Sequence, residues 1–246
     1  EGPTPEALSL PRREEWNDMI DYAGPLLAIA TTRTIGLVSM QRAAARLGGA
    51  CVETLAAYHV CVNALGFFLL FGEPLNQLHQ TRLPALIDRG ERDGVVRTLK
   101  CVMTLSAGTA LSIGALAYLA LSWGSAGLFS CDAGVQMGVV RAAPAVVLAV
   151  VQVIMTIALD GAMLASRDFG FIVGVGVATC AVEVALCRRW VDSIGAIFVT
   201  FALRRVIYAS VAIVRACLGR GTLGRLIFGR GRRDKKKGKV EAVSRV

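Results

Sequence analysis

The sequence predicts an all-α integral membrane protein built on six transmembrane helices. Three observations carry that expectation. The chain is 54% hydrophobic, with a mean hydropathy of +0.57, well above the near-zero values usual for soluble domains. Uncharged runs of about 20 residues recur, the length needed to cross roughly 30 Å of hydrocarbon as a helix. Small residues are dense through those runs, which allows the close helix packing that lipid requires.

The first span is expected over 20–46, and the RLGGA turn follows it. The second begins at Cys51, runs apolar to Phe71 and continues as a polar-striped helix to Ile87. DRGERDG (88–94) reads as a loop. The third span, 95–123, contains CVMTLSAGTALSIGALAYLALSW without a charge. SAGLFSCDAG (125–134) carries Gly and Asp breakers and reads as a turn. The fourth span covers 135–165, and the fifth, 169–186, follows a very short connection. CRRWVDS (187–193) is the next loop, and the sixth span runs over 194–219. Gly170 and Gly174 form a GxxxG pattern, which says only that helices touch.

The net charge of +9 gathers in the tail, which ends GRGRRDKKKGK before its last residues. No aromatics interleave with these basic residues, so nucleic acid is not an expected partner. The tail instead fits positive-inside topology and attraction to anionic lipid heads, and its composition predicts disorder. Arg89, Arg92, Arg97, Lys100 and Arg167 fall on the same side as the tail. Arg42, Arg46, Arg188 and Arg189 fall on the other. The excess places both termini on the cytoplasmic or, in a plastid, the stromal side.

Seven cysteines are scattered without a CxxC, and only His59 and His79 offer imidazole. No disulfide framework and no metal site are expected. HExxH, GxSxG and Walker A signatures are lacking, so an enzyme is not expected. Without a nucleotide site, active transport requires ion coupling unless another subunit supplies the energy. The chain opens EGPTPEALSLPRREEW, without Met. That opening is expected of a piece of a longer protein, so the lack of a visible signal peptide carries little weight.

Ionisable residues inside a membrane cost about 2.5–3.5 kcal/mol each on insertion scales, so each is a functional candidate. Asp160 leads. Gln152, Thr156 and Asp160 fall at i, i+4 and i+8, one polar stripe on an apolar cylinder. A carboxylate facing a dry cavity can load and release a proton near neutral pH. The alternative is a structural hydrogen bond, or a pair with an arginine of another span. Glu73, Asn76, Gln77 and Gln80 share a second polar face, and Pro74 cannot donate to the Leu70 carbonyl and should kink the helix. Either this face lines a cavity, or the helix has already left the bilayer. Arg33, near the middle of the first span, either holds an anionic substrate or pairs with Asp160 or Glu73. Arg204 and Arg205 either line the cavity or, more commonly, snorkel toward the interface.

RLGGACVETLAAYHV (46–60), FGEPLNQLHQTRLPALI (71–87), LFSCDAGV (128–135) and LDGAMLASRDFGFI (159–172), in that order, resemble the C-terminal lobe of a MATE (multidrug and toxic compound extrusion) transporter. GEPLNQ and LDG…SRDF look most like the plastid-envelope branch that includes the chloroplast salicylate exporter. The resemblance implies a twelve-helix fold of two six-helix bundles, with residues 1–16 as inter-lobe linker, 17–219 as the C-lobe and 220–246 as basic tail. It implies a missing N-terminal lobe as partner, a cavity between the lobes, and plastid-envelope localisation. It also implies proton-coupled export of small organic molecules, with aromatic carboxylates such as salicylate fitting best. The proton gradient would be the driving force and no cofactor would be needed; sodium is less favoured. The LDG aspartate, Asp160, matches the family's proton-linked acid. Many plant members carry a further acid in the seventh helix, whereas here Arg33 occupies the comparable region, and Glu73 is the candidate second acid. Two other readings stand beside this one: a lipid-linked precursor flippase of the same superfamily fold, and a non-transporting half-size partner or incomplete gene product.

Overall fold

The computed structural model describes residues 13–49, 51–123 and 129–228. Among them all regular structure is helical. The helices are α1 (Arg13–Gly48), α2 (Val52–Leu69), α3 (Glu73–Asp88), α4 (Arg92–Ser122), α5 (Ala133–Ala165), α6 (Phe169–Arg189), α7 (Ile194–Cys217) and α8 (Gly221–Phe228). Six stretches are long and apolar enough to cross a membrane, with α2 and α3 together making one of them. This is a multi-pass helical bundle.

α5 is the central helix. It packs against α2, α3, α4 and α7, and many of its Ala, Val and Ile side chains are buried, as expected of a largely apolar helix at the centre of a bundle. Asp132 starts it by accepting from the Gly134 and Val135 amides, which satisfies two otherwise orphaned donors. The main core gathers Tyr58, Val146, Ile154, Ile197 and Phe198 around α5. A smaller core, with Leu83, Val95, Met163, Ile172 and Leu223, closes the end of the bundle where α3 ends and α4 begins.

Two elements differ from the sequence reading. Pro74 does not kink a continuous helix. The helix stops at Leu69 and restarts at Glu73, with Pro74 in the first turn of α3. There its missing N–H has no helical acceptor to lose, so the break relieves the clash altogether. The second difference lies in the tail. Residues 221–228 form α8, whose Leu223 and Gly224 are buried and whose Ile227 carbonyl accepts from Arg92 Nε at 2.8 Å. Burial of its apolar face supplies what the basic composition alone lacks. The rest of the expected tail, 229–246, and most of the expected linker, 1–12, lie outside the described residues. α1 already begins at Arg13, inside the range assigned to the linker.

At the GxxxG glycines of α6, Gly170 and Gly174, an added methyl group would meet nothing within 4 Å among the described residues.

Candidate functional site

The site grows from a polar stretch of α1, TTRTIG (31–36). Thr31, Thr32 and Thr34 each donate their hydroxyl to a carbonyl one turn back, those of Leu27, Ile29 and Ala30. Their polarity is thereby absorbed within the helix. Arg33 is different, because its guanidinium must find an acceptor elsewhere.

Arg33 Nη2 donates to Asp160 Oδ2 at 2.7 Å. Asp160 is nearly buried, at 6% side-chain exposure, whereas Arg33 remains 44% exposed. The bond uses one nitrogen of the guanidinium fork. Arg205 Nη1 approaches the same carboxylate oxygen at 4.0 Å, and its guanidinium lies 5.3 Å from the centre of the Phe201 ring. Tyr208 stands in the same group. It is buried and lines the same small cavity as Asp160, but its hydroxyl makes no hydrogen bond of good geometry among the described residues.

A second pair adjoins the first. Arg204 Nη1 meets Glu183 Oε2 at 2.5 Å, with the two side chains 6% and 0% exposed. Arg204 also donates toward the Thr32 carbonyl at 3.4 Å, which ties the pair to α1. Four spans thus deliver three arginines and two carboxylates to one place, an excess of one positive charge when all are ionised. A cavity of about 30 Å³ lies among Thr32, Arg33, Asp160, Arg204, Arg205 and Tyr208, space for roughly one or two water molecules.

Arg204 corrects the sequence reading. It does not snorkel, because it sits ten residues into a 24-residue helix, about 15 Å from the helix start at the usual rise. An arginine side chain cannot span that distance to the interface, so it pairs inside the bundle. Arg205 is likewise drawn inward, with its Nε buried and unpartnered. Glu183 was missed by the sequence reading. The signal was present: it is a lone acid inside the apolar 169–186 run, and the insertion cost applied to Asp160 applies to it equally.

The structure separates the remaining candidates. Asn76 Nδ2 donates to Glu73 Oε2 at 3.3 Å and Gln80 Nε2 to Asn76 Oδ1 at 2.9 Å, a polar ladder along α3. Glu73, Gln77 and Gln80 are exposed, and none of them meets Arg33 or Asp160. Asn76 comes nearest to the cluster, since it packs against Gly161, where an added Cβ would lie 2.7 Å from the Asn76 carbonyl oxygen. Thr156 is buried and spends its hydroxyl on the Gln152 carbonyl, while Gln152 itself is half-buried. The Gln152–Thr156–Asp160 stripe therefore places only Asp160 in the charged cluster. His79 is fully buried, with Nδ1 2.7 Å from the Ala158 carbonyl. Among the described residues no group of three or more His, Cys, Asp or Glu side chains is placed to hold a metal ion.

Gly36 makes room for the inner pair. A methyl group there would overlap Arg204 Nη1 and lie 2.6 Å from Glu183 Oε2. Gly36→Ala is expected to force the pair apart and cost about 1–3 kcal/mol, the usual scale of overpacking. A thermal unfolding series in detergent checks this; a midpoint equal to that of the parent protein would show that the pair yields without loss.

The fold and the cluster define a multi-pass helical membrane protein with a network of arginines and carboxylates in its interior. No protein-family model, no curated protein and no solved structure matches the chain.

Proposed function

We propose that the chain is the C-terminal six-helix lobe of a MATE-type secondary transporter, which exports small organic molecules in a proton-coupled cycle. The observation that carries this reading is Asp160, a nearly buried carboxylate held in mid-bundle by the half-exposed Arg33. Intramembrane ionisable groups mark ion and substrate pathways more often than they mark scaffolding. The order of the RLGGA, GEPLNQ and LDG…SRDF stretches supports the family, and the excess of one positive charge supports an anionic substrate. Aromatic carboxylates such as salicylate fit that charge. A second six-helix lobe would close the cavity against α1, and a plastid envelope is the location that the motif resemblance favours.

The two ion pairs take different roles in this proposal. Glu183–Arg204 is sealed and structural. Asp160–Arg33 is the working pair, because Arg33 keeps most of its fork accessible. A substrate carboxylate that takes Arg33 competes with Asp160 for the same guanidinium, so substrate binding and proton binding at Asp160 are linked. Arg33→Gln should therefore weaken binding of a carboxylate substrate by roughly tenfold or more, the scale of one charge-assisted contact. It should affect an uncharged amide analogue far less. Equilibrium binding of both ligands to the intact protein in detergent tests this, and an equal loss for both would reduce Arg33 to a structural partner of Asp160.

A further inference from the structure

The sequence leaves one charge anomaly that neither topology nor transport absorbs: four arginines lie on the side opposite the basic excess. The structure gathers three of them. Arg42 and Arg46 stand on the last turns of α1 and Arg188 at the end of α6, two helices packed side by side. Together they line a groove of about 470 Å³ whose walls include Ile35, Val38 and Val184, with no acid among the lining residues.

The arginines are not equivalent. Arg46 donates to the Cys187 and Arg188 carbonyls, the last carbonyls of α6, which lack helical partners. It is thereby fixed in place. Arg42 and Arg188 make no ion pair among the described residues, and both are exposed. Trp190, two residues after Arg188 and the first past the end of α6, is 77% exposed, a residue type that favours the membrane–water interface. From Arg46 to Ile35 the groove runs eleven residues along α1, about 16 Å at the helical rise, from the helix end toward the middle of the apolar span.

Two chemistries therefore meet in one groove. The mouth offers guanidinium forks, whose planar geometry matches phosphate oxygens. The wall beneath is apolar. Free phosphate would use the mouth and leave the wall uncovered, whereas a phospholipid covers both. The uncompensated positive charge selects a lipid with net negative charge over a zwitterionic one. We infer that this groove binds an anionic phospholipid, with its phosphate on Arg42 and Arg188 and an acyl chain along Ile35, Val38 and Val184. The sequence anomaly then has a cause: these arginines serve a ligand on their own side of the membrane and not the orientation of the chain.

The test is lipid titration of the purified protein in neutral detergent, followed by native mass spectrometry, with phosphatidylglycerol and phosphatidylcholine as probes. Phosphatidylglycerol should bind preferentially. The double variant Arg42→Gln/Arg188→Gln should weaken its binding roughly 30-fold, the scale of two interfacial arginines. Removing two charges from the opposite side, with Arg97→Gln/Lys100→Gln, should leave it unchanged. Val38→Trp fills the wall and keeps every arginine, so it should also expel the lipid; it decides the matter if the double variant fails to fold. Equal binding of both lipids, retention of phosphatidylglycerol by the double variant and by Val38→Trp, or inorganic phosphate binding as tightly as the lipid would each overturn the inference.

Discussion

Replacing Glu183 by alanine is expected to cost the bundle about 3–5 kcal/mol, among the largest losses a single substitution can produce. Its carboxylate is fully buried and meets Arg204 at 2.5 Å. Deleting it leaves a buried guanidinium with only the longer contact to the Thr32 carbonyl. Breaking one side of a buried ion pair costs about 3–5 kcal/mol, because the remaining charge keeps its desolvation penalty and loses its partner. Arg204→Ala should do the same from the other side. Replacing both, as in Glu183→Leu/Arg204→Met, removes the penalty with the charges and should recover much of the loss. Thermal midpoints of the three variants in one detergent provide the check. An unchanged midpoint for Glu183→Ala would mean that water reaches the pair and screens it.

Asp160→Asn is expected to abolish the dependence of flux on an imposed pH gradient while leaving the bundle assembled. The amide keeps the shape and a hydrogen-bond acceptor, but it can no longer gain or lose the proton. The stability cost should be about 1–3 kcal/mol, below that for Glu183, because Arg33 is half-exposed and can turn toward water. Arg205, which is more deeply placed, bears most of that cost. Proteoliposomes carrying the intact protein, with labelled salicylate and a pH step in either direction, measure the effect. If flux is coupled to proton movement, reversing the gradient should reverse net uptake. Flux that follows the gradient equally well in Asp160→Asn would remove Asp160 from the coupling role.

Apolar length and the loss of charge within each run are local properties. They defined the six spans to within a few residues, because a helix that crosses lipid must satisfy its own backbone and cannot depend on neighbours to do so. The same insertion-cost argument picked out Asp160 and Arg33 from their positions alone, and it would have found Glu183 had it been applied to every run. The break before Pro74 was legible as a disturbance, although its form depended on whether the chain could restart the helix at Glu73. Residues 221–228 read as part of a disordered tail because their docking surface needs the chain to fold back on α7 and to meet α4, which is distant in sequence.

Partnership was another matter. Whether Arg33 faces Asp160 or Glu73 depends on which helices adjoin α1, and periodicity on one helix carries no information about its neighbours. Likewise, Arg204 and Arg205 are adjacent in sequence yet serve different carboxylates, since successive side chains on a helix point about 100° apart. The sequence by itself determined that this protein is a bundle of membrane-spanning helices carrying charges at depth. Only the tertiary structure decided which charges meet, that one pair is sealed and the other half-open, and that three of the four arginines of the opposite side share one groove. The physical reason is that burial in lipid is a property of each segment, whereas neutralising a buried charge requires a specific partner brought from another.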